Sequence, residues 1–132
     1  MQALVLRASY WNLYNKVVLM NNKGQVAEQL AARYLSAQGL TFITSNYHSR
    51  FGEIDLIMQD GTCLVFVEVR LRKNKKFGGA EASITASKQH KIVITAEYYL
   101  QQHGNQACRF DVILMDEEKT ASITWLKNAF EA

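Results

Sequence analysis

Three acidic side chains lie inside two apolar segments, where ionised groups are costly. The first segment, residues 52–58, carries Glu53 and Asp55, and the second, residues 63–70, carries Glu68. Runs this rich in Val, Ile, Leu and Phe are typical of a sheet interior, where a carboxylate needs a cation, a proton or hydrogen bonds to compensate its charge. The pattern therefore indicates acids that bind a divalent metal, share a proton or pair with an arginine.

The two segments are predicted to form a β-hairpin. They flank Asp60-Gly61, and glycine tolerates the positive φ of a tight turn. If Asp60-Gly61 is a two-residue turn, Glu53 lies opposite Glu68. Asp55 is then a diagonal neighbour of Glu68 on the same face of the hairpin. Acids this close repel one another, which favours a compensating charge or proton among them.

The spacing of these acids resembles a known nuclease signature. Asp55, twelve intervening residues and then Glu68-Val69-Arg70 are similar to the PD-(D/E)XK motif. Over about residues 23–115 the chain also resembles the YraN-like family of uncharacterised bacterial proteins, at residues 24–28, 52–57, 65–70 and 109–112. The resemblance implies a restriction-endonuclease-like fold, kinship with archaeal Holliday-junction resolvases, and a Mg²⁺ or Mn²⁺ cofactor held by Asp55 and Glu68.

A third metal ligand, Glu28, follows from the resemblance alone. The spacing of Val26, Leu30 and Tyr34 predicts a helix over about residues 23–38 with one apolar stripe, and Glu28 lies off that stripe. A helical glutamate in such a position is ordinarily a solvated surface charge. The related resolvases bring a glutamate from this helix to the metal, which implies the same role here.

The catalytic assignment departs from the signature at Arg70, which stands where lysine is usual. Arginine stays protonated, so it cannot take a proton from water, although its fork can hold phosphate. Lys88, on the first turns of a helix predicted over about residues 85–103, replaces the missing lysine if that helix reaches the site. Asp55, Glu68, Arg70 and Lys88 are thus the predicted catalytic residues.

Two further acids are predicted to support this cluster. Glu53 is the hairpin neighbour of Glu68. Asp111, in a strand predicted over residues 108–115, is most simply the salt-bridge partner of Arg109. Alternatively, Asp111 orients the central acids by hydrogen bonding.

Basic residues flank the hairpin on both sides and predict nucleic-acid contacts. A protein holds a phosphate backbone chiefly through Lys and Arg, so a basic segment beside an acidic site suits a nucleic acid, DNA in the first instance. The alternative for each is a solvated polar loop. The predicted contacts are Arg50, Arg72, Lys73, Lys75 and Lys76.

The predicted fold class is α/β, with a restriction-endonuclease-like core. Further strands over residues 40–48 and 121–126 complete the order α-β-β-β-α-β-β. One antiparallel hairpin then belongs to a mixed central sheet with helices on its faces. Residues 23–132 are predicted to form a single nuclease-like domain, preceded by an N-terminal appendage over residues 1–22.

Composition restricts the classes of protein that fit. The 132 residues are 48% hydrophobic and 20% charged, with a net charge of +3, which is ordinary for one globular domain and too mild to prove a nucleic-acid partner. No apolar run reaches the roughly 18 residues of a membrane span, and the first residues make a poor signal peptide. These features predict a cytoplasmic protein without a membrane partner.

Three functions remain open from the sequence. The first is a Mg²⁺-dependent nuclease that hydrolyses phosphodiesters, on branched or structured DNA. The second is a non-catalytic module that binds nucleic acid or a protein on a nuclease scaffold. The third makes the acids and Arg70 a structural ion network. A homodimer would suit a junction-cutting enzyme, because two scissile strands need two sites.

Overall fold

The computed structural model describes residues 23–72, 84–116 and 122–132. Within these ranges the chain forms two helices and five strands in the predicted order, which confirms the α/β class. They are α1 (Lys23–Ala37), β1 (Thr41–Ser49), β2 (Gly52–Asp60), β3 (Cys63–Arg72), α2 (Ala86–His103), β4 (Cys108–Asp116) and β5 (Ile123–Phe130).

The five strands form one mixed sheet in sequence order, β1-β2-β3-β4-β5. Neighbouring strands are antiparallel except β3 and β4, which are parallel and joined through α2. A parallel pair needs such a crossover, because a short turn cannot return the chain to the same end of the sheet. The order places β3, which carries Glu68, in the centre of the sheet.

Each face of the sheet is covered by one helix, because the strands alternate apolar side chains on both sides. On one face, Leu30 of α1 packs with Leu56 and Val67. On the other face, Ile92 of α2 packs with Phe66. A charged side chain that occupies a core position on either face is therefore covered by a helix.

The hairpin turn differs by one residue from its prediction. Asp60 pairs with Cys63, so Gly61-Thr62 forms the turn, and Gly61 has a φ of 59°. The glycine is required as expected, but at the first turn position instead of the second. The change moves the register by two residues, which keeps the paired side chains from Leu56 to Asp60 on their predicted faces.

The two hairpin strands separate at the acidic residues. Their paired positions run from Asp60↔Cys63 to Leu56↔Val67, and the next position in this register would place Asp55 opposite Glu68. The predicted pairing of Glu53 with Glu68 is therefore wrong. The separation leaves the carboxylate of Asp55 able to bond to the backbone of β3.

The last strand is longer than its prediction and begins later. It covers Ile123–Phe130, whereas the sequence pattern indicated residues 121–126. Phe130 stacks on Phe110 with ring centroids 5.0 Å apart, and this contact extends the pairing past three exposed residues. Residues 1–22, the predicted appendage, lie outside the described residues, as do Lys73, Lys75 and Lys76.

The helices that the structure describes are too short or too polar to cross a membrane.

Candidate functional site

Asp55 lies at the point where β2 and β3 separate, and it is 9% exposed. Its Oδ2 accepts a hydrogen bond from the backbone N–H of Val69 at 2.8 Å. That N–H would face the β2 ladder if the pairing continued. The separation of the strands thus converts a backbone donor into a support for the Asp55 carboxylate.

Glu28 reaches Asp55 from α1. Its carboxyl group lies close enough to the side chains of Asp55 and Asn46 to interact with both, while its buried Oε1 has no hydrogen-bond partner among the described residues. Asn46 is level with Asp55 on β1, between the pairs Ser45↔Leu56 and Tyr47↔Ile54, and has a φ of 53°. Glu28 is therefore not the solvated surface charge that its helical position suggests.

The protonation of Glu28 reflects these surroundings. Burial, followed by the charge of Asp55 and the hydrogen bond to it, raises the pKa of Glu28 from 4.5 to about 7. The hydrogen bond from Asn46 opposes the rise, and the more distant Glu53 adds to it. Near neutral pH, Glu28 therefore exchanges a proton readily beside Asp55.

Glu68 approaches Asp55 from the side of the sheet that α2 covers, whereas Glu28 approaches from the side that α1 covers. Glu68 is 8% exposed. Burial, followed by the charge of Asp55, raises the pKa of Glu68 to about 7, and Lys88 counteracts this rise. Glu68 thus lies close enough to Asp55 to interact with it, and it forms an ion pair with Lys88. Asp55 therefore connects two carboxyl groups that come from the two sides of the sheet.

Lys88 confirms that α2 reaches the acids. Its Nζ lies 3.2 Å from Oε2 of Glu68, while about half of its side chain remains exposed. The helix is held there by its N-terminal cap, because the hydroxyl of Thr85 accepts the backbone N–H of Lys88 at 3.1 Å. Ile84, buried just before the cap, fixes the approach of the chain.

Glu53 and Arg70 lie beside this cluster. Glu53 is about half exposed, and its Oε2 lies 3.3 Å from Nδ1 of His48. Arg70 follows Glu68 by two residues on β3, so the two share a face, and it is partly buried. The structure thus brings both predicted residues to the end of the sheet where the acids meet.

Asp111 belongs to a separate polar cluster between β4 and β5. It is fully buried, and Arg109 Nε lies 3.1 Å from its Oδ1. Its carboxylate also accepts hydrogen bonds from Nε1 of Trp125 and from the backbone N–H of Asn128, both at 2.9 Å. The predicted salt bridge is confirmed, and Arg109 extends it to Asp60 at 3.0 Å.

The described nucleic-acid candidates differ in their accessibility. Arg72 is mostly buried and pairs with Asp116 through a 2.8 Å contact, so a structural role competes with phosphate binding there. Arg50 is exposed in the two-residue turn between β1 and β2, with its guanidinium 5.1 Å from the centre of the Phe51 ring. Arg50 is therefore the more accessible of the two cations.

The acids suit a hard divalent cation by donor type, although they are not preassembled as ligands. Among residues 23–72, 84–116 and 122–132, no three His, Cys, Asp or Glu side chains already form a metal-ligand set. The buried Oε1 of Glu28 lacks a partner, however, and burial together with the charge of Asp55 raises the pKa values of Glu28 and Glu68. Carboxylate oxygens are preferred ligands of Mg²⁺ and Mn²⁺.

Some of the site was not predicted. Asn46 lies within the strand predicted over residues 40–48 and had no predicted role at the site, yet it lies beside Glu28 with a positive φ, to which asparagine is better suited than most residues. The N–H of Val69 had no sequence signal at all, because it becomes available only where the strands separate. For Glu28, the one signal in the sequence was its neighbour Ala27, a small apolar residue that the structure shows to be buried in the core.

Comparisons with known proteins place the chain in a family. The profile of the uncharacterised protein family UPF0102 matches residues 27–115. A UPF0102 protein of Colwellia psychrerythraea is 53% identical over 129 residues, which cover 91% of this chain and 98% of the relative. One from Methylobacillus flagellatus is 52% identical over 113 residues, 86% of this chain and 100% of the relative. One from Legionella pneumophila is 51% identical over 117 residues, 86% of this chain and 98% of the relative. The chain therefore belongs to the UPF0102 family, as its resemblance to the YraN-like proteins predicted.

Proposed function

We propose that the protein is a divalent-metal-dependent phosphodiesterase that acts on nucleic acid. The observation that carries this proposal is the contact of Asp55 with both Glu28 and Glu68, whose pKa values are each raised to about 7. Structural ion networks alternate positive and negative groups, whereas here three carboxyl groups meet, and the cation that pairs with Glu68 is half-exposed Lys88. Perturbed acids in such a cluster are typical of functional sites.

The cost of keeping these acids together supports the same proposal. Each carboxylate is wholly or partly buried, so its desolvation is unfavourable unless a proton or cation compensates it. Near neutral pH, protons compensate Glu28 and Glu68 only in part, because the pKa of each is raised to about 7. A divalent cation would compensate the same charges while the carboxylates stay ionised.

Asp55 and Glu68 would hold the cation, with Glu28 as a third ligand or as a hydrogen-bond acceptor. Bound there, the cation would polarise the phosphoryl oxygen and lower the pKa of a water molecule. Asp55 is fixed by the N–H of Val69, so it is the pivot of the site. Glu28, with a pKa near the ambient pH, is suited to take a proton from the attacking water.

Lys88 and Arg70 divide the task that one lysine performs in the nuclease signature. Lys88 positions Glu68 and keeps positive charge within reach of a phosphate, since half of its side chain is exposed. Arg70, on the same face of β3 as Glu68, offers a planar fork to phosphate oxygens. In this scheme water forms the new P–O bond as the bond from phosphorus to the departing oxygen breaks. The proton of the water passes to Glu28, and the departing oxygen takes a proton from solvent and leaves as the alcohol.

A cleavage assay tests the proposal. Fluorescently labelled branched, single-stranded and duplex DNA would be incubated with the full chain in Mn²⁺ or in EDTA. We expect cleavage that requires the metal and falls at least about 100-fold in Asp55→Asn, because the variant loses an electrostatic element of catalysis. Glu97→Gln, an exposed change on α2, is the matched control and should cleave like the wild type. Metal-independent binding of DNA without cleavage would reject the enzyme and support a non-catalytic binding module.

A further inference from the structure

An exposed aromatic pair lies beside the acidic cluster. Phe51, in the turn between β1 and β2, and Tyr98, on α2, are each 44% exposed. Together with His48, Ser49 and Arg50 they line a recess of about 520 Å³. Large aromatic side chains are costly to leave in water, and here two of them share one recess with a cation.

The conformation of the turn between β1 and β2 keeps the side chain of Phe51 exposed. Ser49 pairs with Gly52, which leaves only Arg50 and Phe51 to close the hairpin. The Ser49 hydroxyl accepts the backbone N–H of Phe51 at 3.1 Å and thereby fixes the turn. The exposure of Phe51 is therefore a consequence of a rigid turn and is maintained without a ligand.

One face of α2 connects the recess to the acids. Lys88, Lys91, Thr95 and Tyr98 are spaced by three, four and three residues, so they lie along one stripe of the helix. The stripe begins at Lys88, which contacts Glu68, and ends at Tyr98 in the recess. It carries two lysines and no acid.

Two contacts hold this stripe across the start of β2. Thr95 Oγ1 lies 2.9 Å from Oγ of Ser49. A Cβ on Gly52 would lie 3.3 Å from Cβ of Lys91, so the absence of a side chain at Gly52 permits the close approach of the helix. The aromatic recess and the acidic cluster are thus held in a fixed relation.

The separation of the recess from the acids suits a short length of nucleic acid. Phe51 precedes Asp55 by four residues, which is about 13 Å along a strand. Lys88 and Tyr98 are ten residues apart, about 15 Å along a helix. At a rise of about 3.4 Å per nucleotide in a stacked strand, either path corresponds to about four nucleotides.

We propose that Phe51 and Tyr98 stack an unpaired nucleobase, while Arg50 and Lys91 contact the phosphates of a single-stranded segment that leads to Asp55. Base–aromatic stacking tolerates any sequence, because every base has a π-face. A base paired inside a duplex cannot enter between side chains in this way. The inference rests on the proposed function for the role of the acids and deepens it by naming the substrate class: nucleic acid with an unpaired stretch of about four nucleotides beside the scissile phosphate.

Fluorescence anisotropy in EDTA tests the inference without cleavage. The probes are a fluorescein-labelled oligothymidine, an oligouridine of the same length and a blunt duplex. We expect the wild type to prefer a single strand to the duplex. Phe51→Ala and Tyr98→Ala should each weaken single-strand binding about tenfold or more, since stacking contributes about that much per base. Phe51→Trp should retain binding.

The matched control is Phe42→Ala, which removes a comparably exposed aromatic side chain (48%) on β1. It should leave the affinity for every probe unchanged. Equal binding of single strand and duplex, or alanine variants that bind the single strand like the wild type, would overturn the inference. Thermal melting of each variant separates a lost contact from a lost fold.

The two proposals fail differently. Metal-dependent cleavage that is insensitive to Phe51→Ala and Tyr98→Ala would overturn the stacking site and leave the phosphodiesterase intact. Aromatic-dependent binding of the single strand in a protein that never cleaves would reject the phosphodiesterase and support the stacking site. The comparison of oligothymidine with oligouridine reports whether the recess favours DNA or RNA.

Discussion

Lys88 on the first turn of α2 and Glu68 on the central strand form an ion pair, with Nζ 3.2 Å from Oε2. The pair joins an exposed cation to a buried acid, so it can respond to a ligand more readily than a wholly buried pair. The pair also brings a lysine to the acids from α2, an element other than the strand that carries Arg70.

Replacement of Lys88 should change how Glu68 titrates. Lys88→Met removes the charge that counteracts the raised pKa of Glu68, so Glu68 keeps its proton to higher pH. Mn²⁺ must displace that proton, and we expect binding by the variant to require a higher pH than binding by the wild type. Titration calorimetry at several pH values measures this change. Lys127→Met removes an exposed lysine on β5 and is the control; identical pH dependence in all three proteins would contradict the assigned role of Lys88.

The metal-free protein should lose stability as pH rises towards neutrality. Glu28 and Glu68 have pKa values of about 7 when folded, against 4.5 for the ordinary group, so the folded state binds more protons between these values. Stability falls with rising pH wherever the folded state binds more protons than the unfolded state. The contribution of both acids is therefore fully present below about pH 4.5 and is lost as pH rises through about 7.

Thermal melting in EDTA between pH 4.5 and 8 would reveal this dependence. The double variant Glu28→Gln/Glu68→Gln cannot ionise at either position, so its melting temperature should vary less with pH over the same range. A wild-type protein whose stability changes with pH no differently from the double variant would show that these acids do not titrate as assigned.

Replacement of Asp111 tests whether this residue stabilises the fold or supports the acidic cluster. Its carboxylate is fully buried with Arg109, and its replacement by alanine leaves an uncompensated cation. We expect Asp111→Ala to reduce the free energy of unfolding by about 3–5 kcal/mol. Urea denaturation measures the loss, and Trp125→Phe, which removes one hydrogen bond to the same carboxylate, should cost only about 1–2 kcal/mol.

The same variant distinguishes the two interpretations of Asp111 that the sequence allowed. If Asp111 serves only its own cluster, the folded fraction of Asp111→Ala binds Mn²⁺ with wild-type affinity. A folded variant that binds Mn²⁺ at least about tenfold more weakly would instead show that Asp111 orients the acids.

The strand pattern predicted that Asp55 and Glu68 lie within buried strands, because apolar runs of this kind belong to a sheet interior. The turn was displaced by one residue, yet the resulting shift of two kept the paired positions from Leu56 to Asp60 on their predicted faces. The ends of α2 were likewise predicted within one residue, since the signals that begin and end a helix are local.

Contacts between residues that are far apart in sequence could not be predicted in the same way. Trp125 and Asn128 reach Asp111 from 14 and 17 residues away, across two strands whose register includes an irregularity. Glu28 required the resemblance to a family, because helical spacing alone places it off the apolar stripe. The aromatic recess had no sequence signal, since Phe51 and Tyr98 lie on different elements and meet only in the folded chain.

Titration calorimetry of Mn²⁺ into the metal-free protein at pH 8 tests the central claim most directly. At this pH Glu28 and Glu68 are mainly ionised, so their protons compete little with the metal. We predict saturable binding in the micromolar range that is abolished in Asp55→Asn and unchanged in Glu97→Gln. Absence of binding in the wild type, or equal binding in Asp55→Asn, would contradict the assignment of these acids to a metal site.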